Sequence, residues 1–492
     1  VVTTSPKRSS GQIVVSSQCP TALAIVLYAG FLVHLSVAAA SSNSNEYPPQ
    51  SWQTPSYLDS QEGDVEPTPA LNPDIAIDGK GRVLVVWNRN GRSQKYVLAK
   101  RYEPGRGWSN IVRVHSTKVS ALSPKLAVND SGLALAVWYQ SKSAGDSELW
   151  ASEFLPDKGW GEPYNIKNAD PYEPRGVDVV IDKMGNGLIV WLEKGEPHCR
   201  LFHFGSMIPE KSDCHDRYAD HLTAAINNGH SVVSWRTAGD EDFVVTVQRY
   251  VSGIGWMKQE PLAAGPLGEK GSGGEPISVV DQDGNVTVLW VGGPYLSHLY
   301  ARRYTKTVGA WTKATIINNP ELGGVSGATA IVDDDGTVLV AWSQSANVRS
   351  IGSTIWLRKY SQKEWSVPVG LPTNGGQRLF PALASARPGS GVITWVELSG
   401  NSASIWMTSY DKLGLSVAPK QIGGTTLNYT QPKIVEDKEG GAVAIWETRV
   451  EPQYHENIRL CVNVKSRHMQ EVDSKSKKQD IFCQDSLQRG ER

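Results

Sequence analysis

The sequence predicts an all-β protein, a closed eight-bladed β-propeller of four-stranded antiparallel blades, and three observations predict it. A glycine stands six residues before a tryptophan eight times, at Gly81/Trp87, Gly132/Trp138, Gly185/Trp191, Gly229/Trp235, Gly284/Trp290, Gly336/Trp342, Gly389/Trp395 and Gly440/Trp446. The mean period of about 51 residues is that of a repeat array. Within each repeat, β-rich runs alternate with turn residues and no helical periodicity appears. Finally, a tryptophan-led run, Ser51 to Pro55, precedes the first repeat, while the last repeat lacks such a run.

At the N-terminus, Lys7 and Arg8 precede an apolar run from Thr21 to Val37 and the small residues Ala38 to Ser41. That is the pattern of a signal peptide with a long leading segment. Residues 1–40 are therefore expected to be cleaved on export, with 41–50 a linker. An uncleaved anchor is the alternative, because about 17 apolar residues can just span a bilayer; His34 and the alanine run weigh against it.

In repeat 1, residues 73–87 read as two strands, a and b, joined by an Asp-x-x-Gly turn. The residue nine before the tryptophan is Asp78, Asn129, Asp182, Asp281, Asp333 or Asp437 in six repeats, and Ile226 and Ala386 in repeats 4 and 7. Such a side chain bonds its own turn while the glycine takes a positive φ. A third run, c, such as Tyr96 to Tyr102, and a fourth, d, opened by Trp108, Trp160, Trp256, Trp311 or Trp365, complete the unit. Trp150, Trp356 and Trp406 share one register in strand c. In repeat 8, residues 457–464 supply strand c, and the orphan run at Trp52 is expected to supply strand d and close the ring, leaving no open sheet edge. The propeller then spans 51–464, followed by a charged tail, 465–492.

The chain has 492 residues, a formal net charge of −1 and balanced basic and acidic residues. No global field draws in nucleic acid or a membrane surface, so neither is an expected partner. Setting aside Cys19, the remaining Cys199, Cys214, Cys461 and Cys483 form an even set that fits an oxidising compartment. Cys199 and Cys214 flank a hairpin-sized segment and are expected to pair, leaving Cys461 with Cys483.

No chemical motif stands out. The tryptophans recur in one register, as packing residues do. The acidic turns at Asp281 and Asp333 lack the further ligands a calcium loop needs. His198, His203 and His215 cluster in repeat 3 without a zinc spacing, and no metal or other cofactor is expected. No nucleophile elbow or phosphate loop is found. The second residue after the b-strand tryptophan shares its strand face, so Arg89, Gln140, Glu193, Gln344 and Glu397 are candidate ligand contacts near one rim. Paired carboxylates for glycoside cleavage must converge, and Glu397 and Glu447, on neighbouring repeats, are the candidates if the protein is an enzyme.

The unit Asp-x-x-Gly-x5-Trp, followed by an Arg-Tyr run and a Gly-Trp start, resembles repeats of secreted bacterial β-propeller proteins of mostly unassigned function, over about 400 residues. The resemblance implies the architecture and leaves the ligand open. Sialidases differ, because their Asp box places tryptophan three residues after glycine. The Thr-Gly-Lys-x-x-Trp motif of the quinoprotein dehydrogenases is not found, and the repeat of fucose-type lectins is not clearly reproduced. The expectation is a monomeric, non-catalytic binding protein, secreted, periplasmic or on the cell surface, that recognises a glycan or a cell-surface protein through rim loops. The alternative is a glycoside-active hydrolase or lyase.

Overall fold

The computed structural model describes residues 51–59, 70–90, 95–115, 119–143, 146–170, 175–204, 206–207, 214, 219–238, 243–262, 275–293, 298–347, 352–372, 376–400, 402–411, 414–415, 418–425, 430–449 and 458–466. Among them every regular element is a β-strand. The expected signal peptide, the linker and residues 467–492 of the expected tail lie outside the described residues.

Each repeat forms one antiparallel unit in the order a-b-c-d. In repeat 1 these are Ala70–Ile77, Val83–Asn90, Lys95–Glu103 and the two short pieces Gly107–Trp108 and Val112–Arg113, both paired with c. Repeats 2 to 7 repeat this order; repeats 6 and 7 are joined by one parallel bridge, Ser353 to Gln377. In repeat 8, Lys433–Glu436, Ala442–Arg449 and Ile458–Ser466 serve as a, b and c. Its d position is filled from the start of the chain, with Trp52 opposite Lys465 and Tyr57 opposite Cys461. Strand a of each repeat lies against strand a of the next, and strand a of repeat 8 lies against that of repeat 1.

The core is a set of seams between successive repeats, and the b-strand tryptophans fill them. Trp138 packs against Leu84, Val86 and Val97 of repeat 1, Trp342 against Leu289 and Leu299 of repeat 5, and Trp87 against Ile445, Leu460 and Val462 of repeat 8. Large apolar rings removed from water contribute on the order of 2 kcal/mol or more each, which explains their strict register. The turn signature also works between repeats. Asp78 Oδ1 accepts the N–H groups of Lys80 and Arg82 in its own turn, while Oδ2 lies so near Gly132 of the next repeat that a Cβ there would sit 2.8 Å away. Gly132 also has φ +89°, so its side chain is excluded twice. Asp182 and Asp333 accept the N–H of Gly229 and Gly389 in the same way, at 2.6 and 2.7 Å, and Asp437 of repeat 8 lies against Gly81 of repeat 1.

The Arg-Tyr run forms a third kind of seam contact. Arg101 stacks on Phe154, Arg249 on Tyr304, Arg303 on Tyr360 and Lys359 on Tyr410, each a cation over an aromatic ring of the following repeat at 3.5 to 5.5 Å. Cys199 and Cys214 are bonded, as expected. Cys461 is buried and disulfide-bonded, and Cys483 lies outside the described residues.

Candidate functional site

Strand a carries an irregularity that builds the site. In repeats 1, 2, 3, 4, 6 and 7 its register shifts by a bulge, and the bulged residue has a left-handed backbone: Asn72, Ser123, Gly176, His221, Gly327 and Phe380, with φ between 49 and 60°. A bulge inserts an unpaired residue and re-aims its neighbours. The bulges of repeats 1 to 4 lie at one end of the a strands, where they line an open cavity of about 770 Å³ together with Tyr139, Glu275, Thr430, Gln431, Lys433 and Glu447. That volume is within the range of about 300 to 1,000 Å³ typical of ligand sites. At the opposite end of the same strands, the a–b turns are tied together by Lys183 to Asp334 at 2.6 Å and Lys438 to Asp130 at 3.5 Å.

The cavity wall is amphoteric. Asp74 Oδ1 meets Lys433 Nζ at 2.6 Å, and its Oδ2 accepts the N–H of Leu126 in repeat 2. Burial raises the Asp74 carboxyl, but the Lys433 and Lys125 ammoniums outweigh it and hold it below its ordinary value. Asp178 likewise accepts the N–H of Ala224 in the next repeat; burial pushes its carboxyl up, with Lys125 opposing. Lys125 lines the cavity between these two repeats and makes no ion pair among the described residues. Glu447 accepts the bulged Asn72 N–H at 2.7 Å, and burial pushes its carboxyl above the usual range. On the wall of repeats 4 and 5, the His221 ring lies between Asp220, 3.1 Å from Nδ1, and Glu275, 3.0 Å from Nε2, while Arg236 Nε donates to Asp220 at 2.6 Å.

The residues expected from strand parity as rim contacts lie mostly in the seams. Gln140, Glu193, Gln344 and Glu397 are buried, because the face they share with the tryptophan is the seam. Trp342 Nε1 donates to Gln344 Oε1 at 3.2 Å, and Gln344 Nε2 donates to the carbonyls of Asn319 and Gly323. Trp395 Nε1 reaches Glu397 Oε2 at 3.4 Å, and Arg378 Nε donates to the same oxygen at 3.0 Å. Glu193 pairs with Lys167. Arg89 is half-buried on strand b of repeat 1. Of the two carboxylates considered for catalysis, Glu447 lines the cavity and Glu397 is committed to Arg378. His198 stacks on Trp191, His203 bonds Asn186, and His215 lies outside the described residues.

Parity missed Asn72, Lys125, Asp178, His221 and Lys433, because a bulge breaks the alternation on which parity rests. A signal marked the place in three of these repeats: a proline fourteen residues before the tryptophan, at Pro73, Pro124 and Pro381, which suits a bulge because it leaves a ladder bond unmade; Pro276 and Pro432 share the spacing but immediately precede strand a of repeats 5 and 8, whose register is regular.

No known family model matches the chain, and no curated protein is similar to it. Solved structures similar to it include a protein of unknown function from Dyadobacter fermentans, at 11% identity over 85% of this chain and 99% of that one, with a TM-score of 0.41. The polysaccharide lyase Uly1 is 9% identical over 88% and 94% of the two chains, with a TM-score of 0.42. A variant of the NanB sialidase from Streptococcus pneumoniae is 13% identical over 84% and 70%, with a TM-score of 0.34.

Proposed function

We propose that the eight units are the blades of one closed propeller, and that the protein is an exported, non-catalytic binding protein that holds a glycan in the axial cavity. Closure is supported by the packing of repeat 8 on repeat 1, through strand a, through Trp87 and through the contact of Asp437 with Gly81. Export is supported by the Cys199–Cys214 disulfide. The observation that carries the binding reading is the cavity itself, which presents hydrogen-bonding groups of both kinds and both charge signs beside apolar Pro73, Pro124 and Leu222. Hydroxyl-rich ligands with apolar ring faces suit such a wall. The test is a screen of the full protein against immobilised oligosaccharides. Saturable binding weakened at least tenfold by Lys125→Met is the expected result, and binding confined to proteins would overturn the glycan reading.

A second reading, glycoside cleavage, is favoured by one observation. Glu447 combines a place on the cavity wall with a carboxyl pushed up by burial, as a general acid requires. Product formation that Glu447→Gln abolishes while binding survives would establish it; unchanged oligosaccharide after prolonged incubation would exclude it.

A further inference from the structure

A second, smaller cavity of about 210 Å³ lies at the seam between repeats 4 and 5, remote from the bulges, lined by His230, Ser231, Ile254, Met257, Tyr304 and Lys306 among others. Its origin is visible when the seams are compared. In repeats 1, 3, 5, 6 and 8 an aspartate nine residues before the tryptophan lies against the next repeat's glycine. In repeat 5 that aspartate, Asp281, also neutralises Arg303 at 2.6 Å. Repeat 4 has Ile226 there, and the His230 ring covers Gly284 instead.

The three seams whose repeats lack the aspartate are completed differently. Repeat 7, with Ala386, is repaired by an ion pair between Arg387 and Glu436. Repeat 2, with Asn129, carries Glu153 where repeat 4 has Arg249. At the repeat 4 seam Arg249 pairs with Glu260 at 2.8 Å, but Lys306 makes no ion pair among the described residues. Its ammonium instead meets His230 Nε2 at 2.9 Å, leaving it further protons to donate. Burial and the adjacent Lys306 charge hold His230 below its ordinary value, against the opposing Asp281 carboxylate, which is itself paired with Arg303.

A second departure sits in the same repeat. Four residues before the tryptophan the other repeats carry Val83, Ala134, Gly187, Val286, Val338, Gly391 and Ala442, whereas repeat 4 carries Ser231. Its side chain is 1% exposed, lines the cavity and has no hydrogen-bond partner. A buried hydroxyl without a partner costs roughly 1 to 3 kcal/mol, so an occupant that bonds it gains what the free protein lacks. Ile254, Met257, Val251 and Val286 make one part of the wall apolar, and Tyr250, Tyr304 and Arg249, the last paired with Glu260, complete it.

We infer that this seam is a binding site for a small organic carboxylate with an apolar body, its carboxylate taking the place of the missing aspartate between Lys306, His230 and Ser231, and its apolar part resting on Ile254 and Met257. The site is independent of the axial cavity. The test is titration of the full protein with sodium hexanoate, followed by the ring resonances of His230 and by calorimetry, with hexanamide as the uncharged control. Saturable hexanoate binding is expected, at least tenfold tighter than hexanamide, with the His230 titration midpoint moved upward by the adjoining anion. Lys306→Gln, an exposed change that leaves the core intact, should weaken hexanoate at least tenfold, and Met257→Trp should block it. Equal affinity for hexanoate and hexanamide, a stationary His230 midpoint, or binding indifferent to Lys306→Gln would each overturn the site.

Discussion

Gln344 shows how far strand parity alone can place a side chain. Its parity with Trp342 is real, but that parity points into the seam, where the amide accepts the indole N–H and donates to two carbonyls. Gln344→Leu should therefore cost about 2 to 3 kcal/mol by orphaning those groups while leaving ligand affinity unchanged, as chemical denaturation and binding measured on one preparation would show. Loss of affinity without loss of stability would return Gln344 to the ligand. The tryptophan register was legible because packing repeats it in every unit. The cavity residues were not, because Lys125, Asp178 and His221 differ in kind from repeat to repeat and lie on or just after a bulge that shifts the period.

At the scale of elements, the N-terminal segment is joined to both ends of the array. Strand pairing ties Trp52 and Tyr57 to repeat 8, and Lys100 Nζ of repeat 1 donates to the Leu58 carbonyl at 3.2 Å. Arg459 of repeat 8 pairs with the buried Asp59 at 2.8 Å and stacks on Tyr57. Burial pushes the Asp59 carboxyl up, with Arg459 opposing, so removing the cation leaves an uncompensated buried group. Arg459→Met should cost about 3 to 5 kcal/mol, whereas Arg459→Met with Asp59→Leu should recover most of it. Equal losses in the single and double variants, read by urea denaturation, would show that the segment is held by its strand pairing alone. The orphan run at Trp52 and the missing d strand of repeat 8 made this pairing legible. The Asp59–Arg459 tie was not, since 400 residues separate its partners and neither belongs to a repeated position.

For the whole molecule, one architectural device serves two ends. The a–b turns converge on ion pairs at one end of the a strands, and the bulges open a polar cavity at the other. The repeated residues thus account for the seams, and the unrepeated ones for the cavity proposed to hold a ligand, as is usual for sites carried on rigid scaffolds. The most direct measurement is amide hydrogen exchange of the full protein with and without a saturating oligosaccharide taken from the binding screen. Protection concentrated at residues 72–74, 122–125, 176–178 and 221–223 is the predicted result. Protection confined to the outer strands c and d, with those inner segments unchanged, would contradict the axial site.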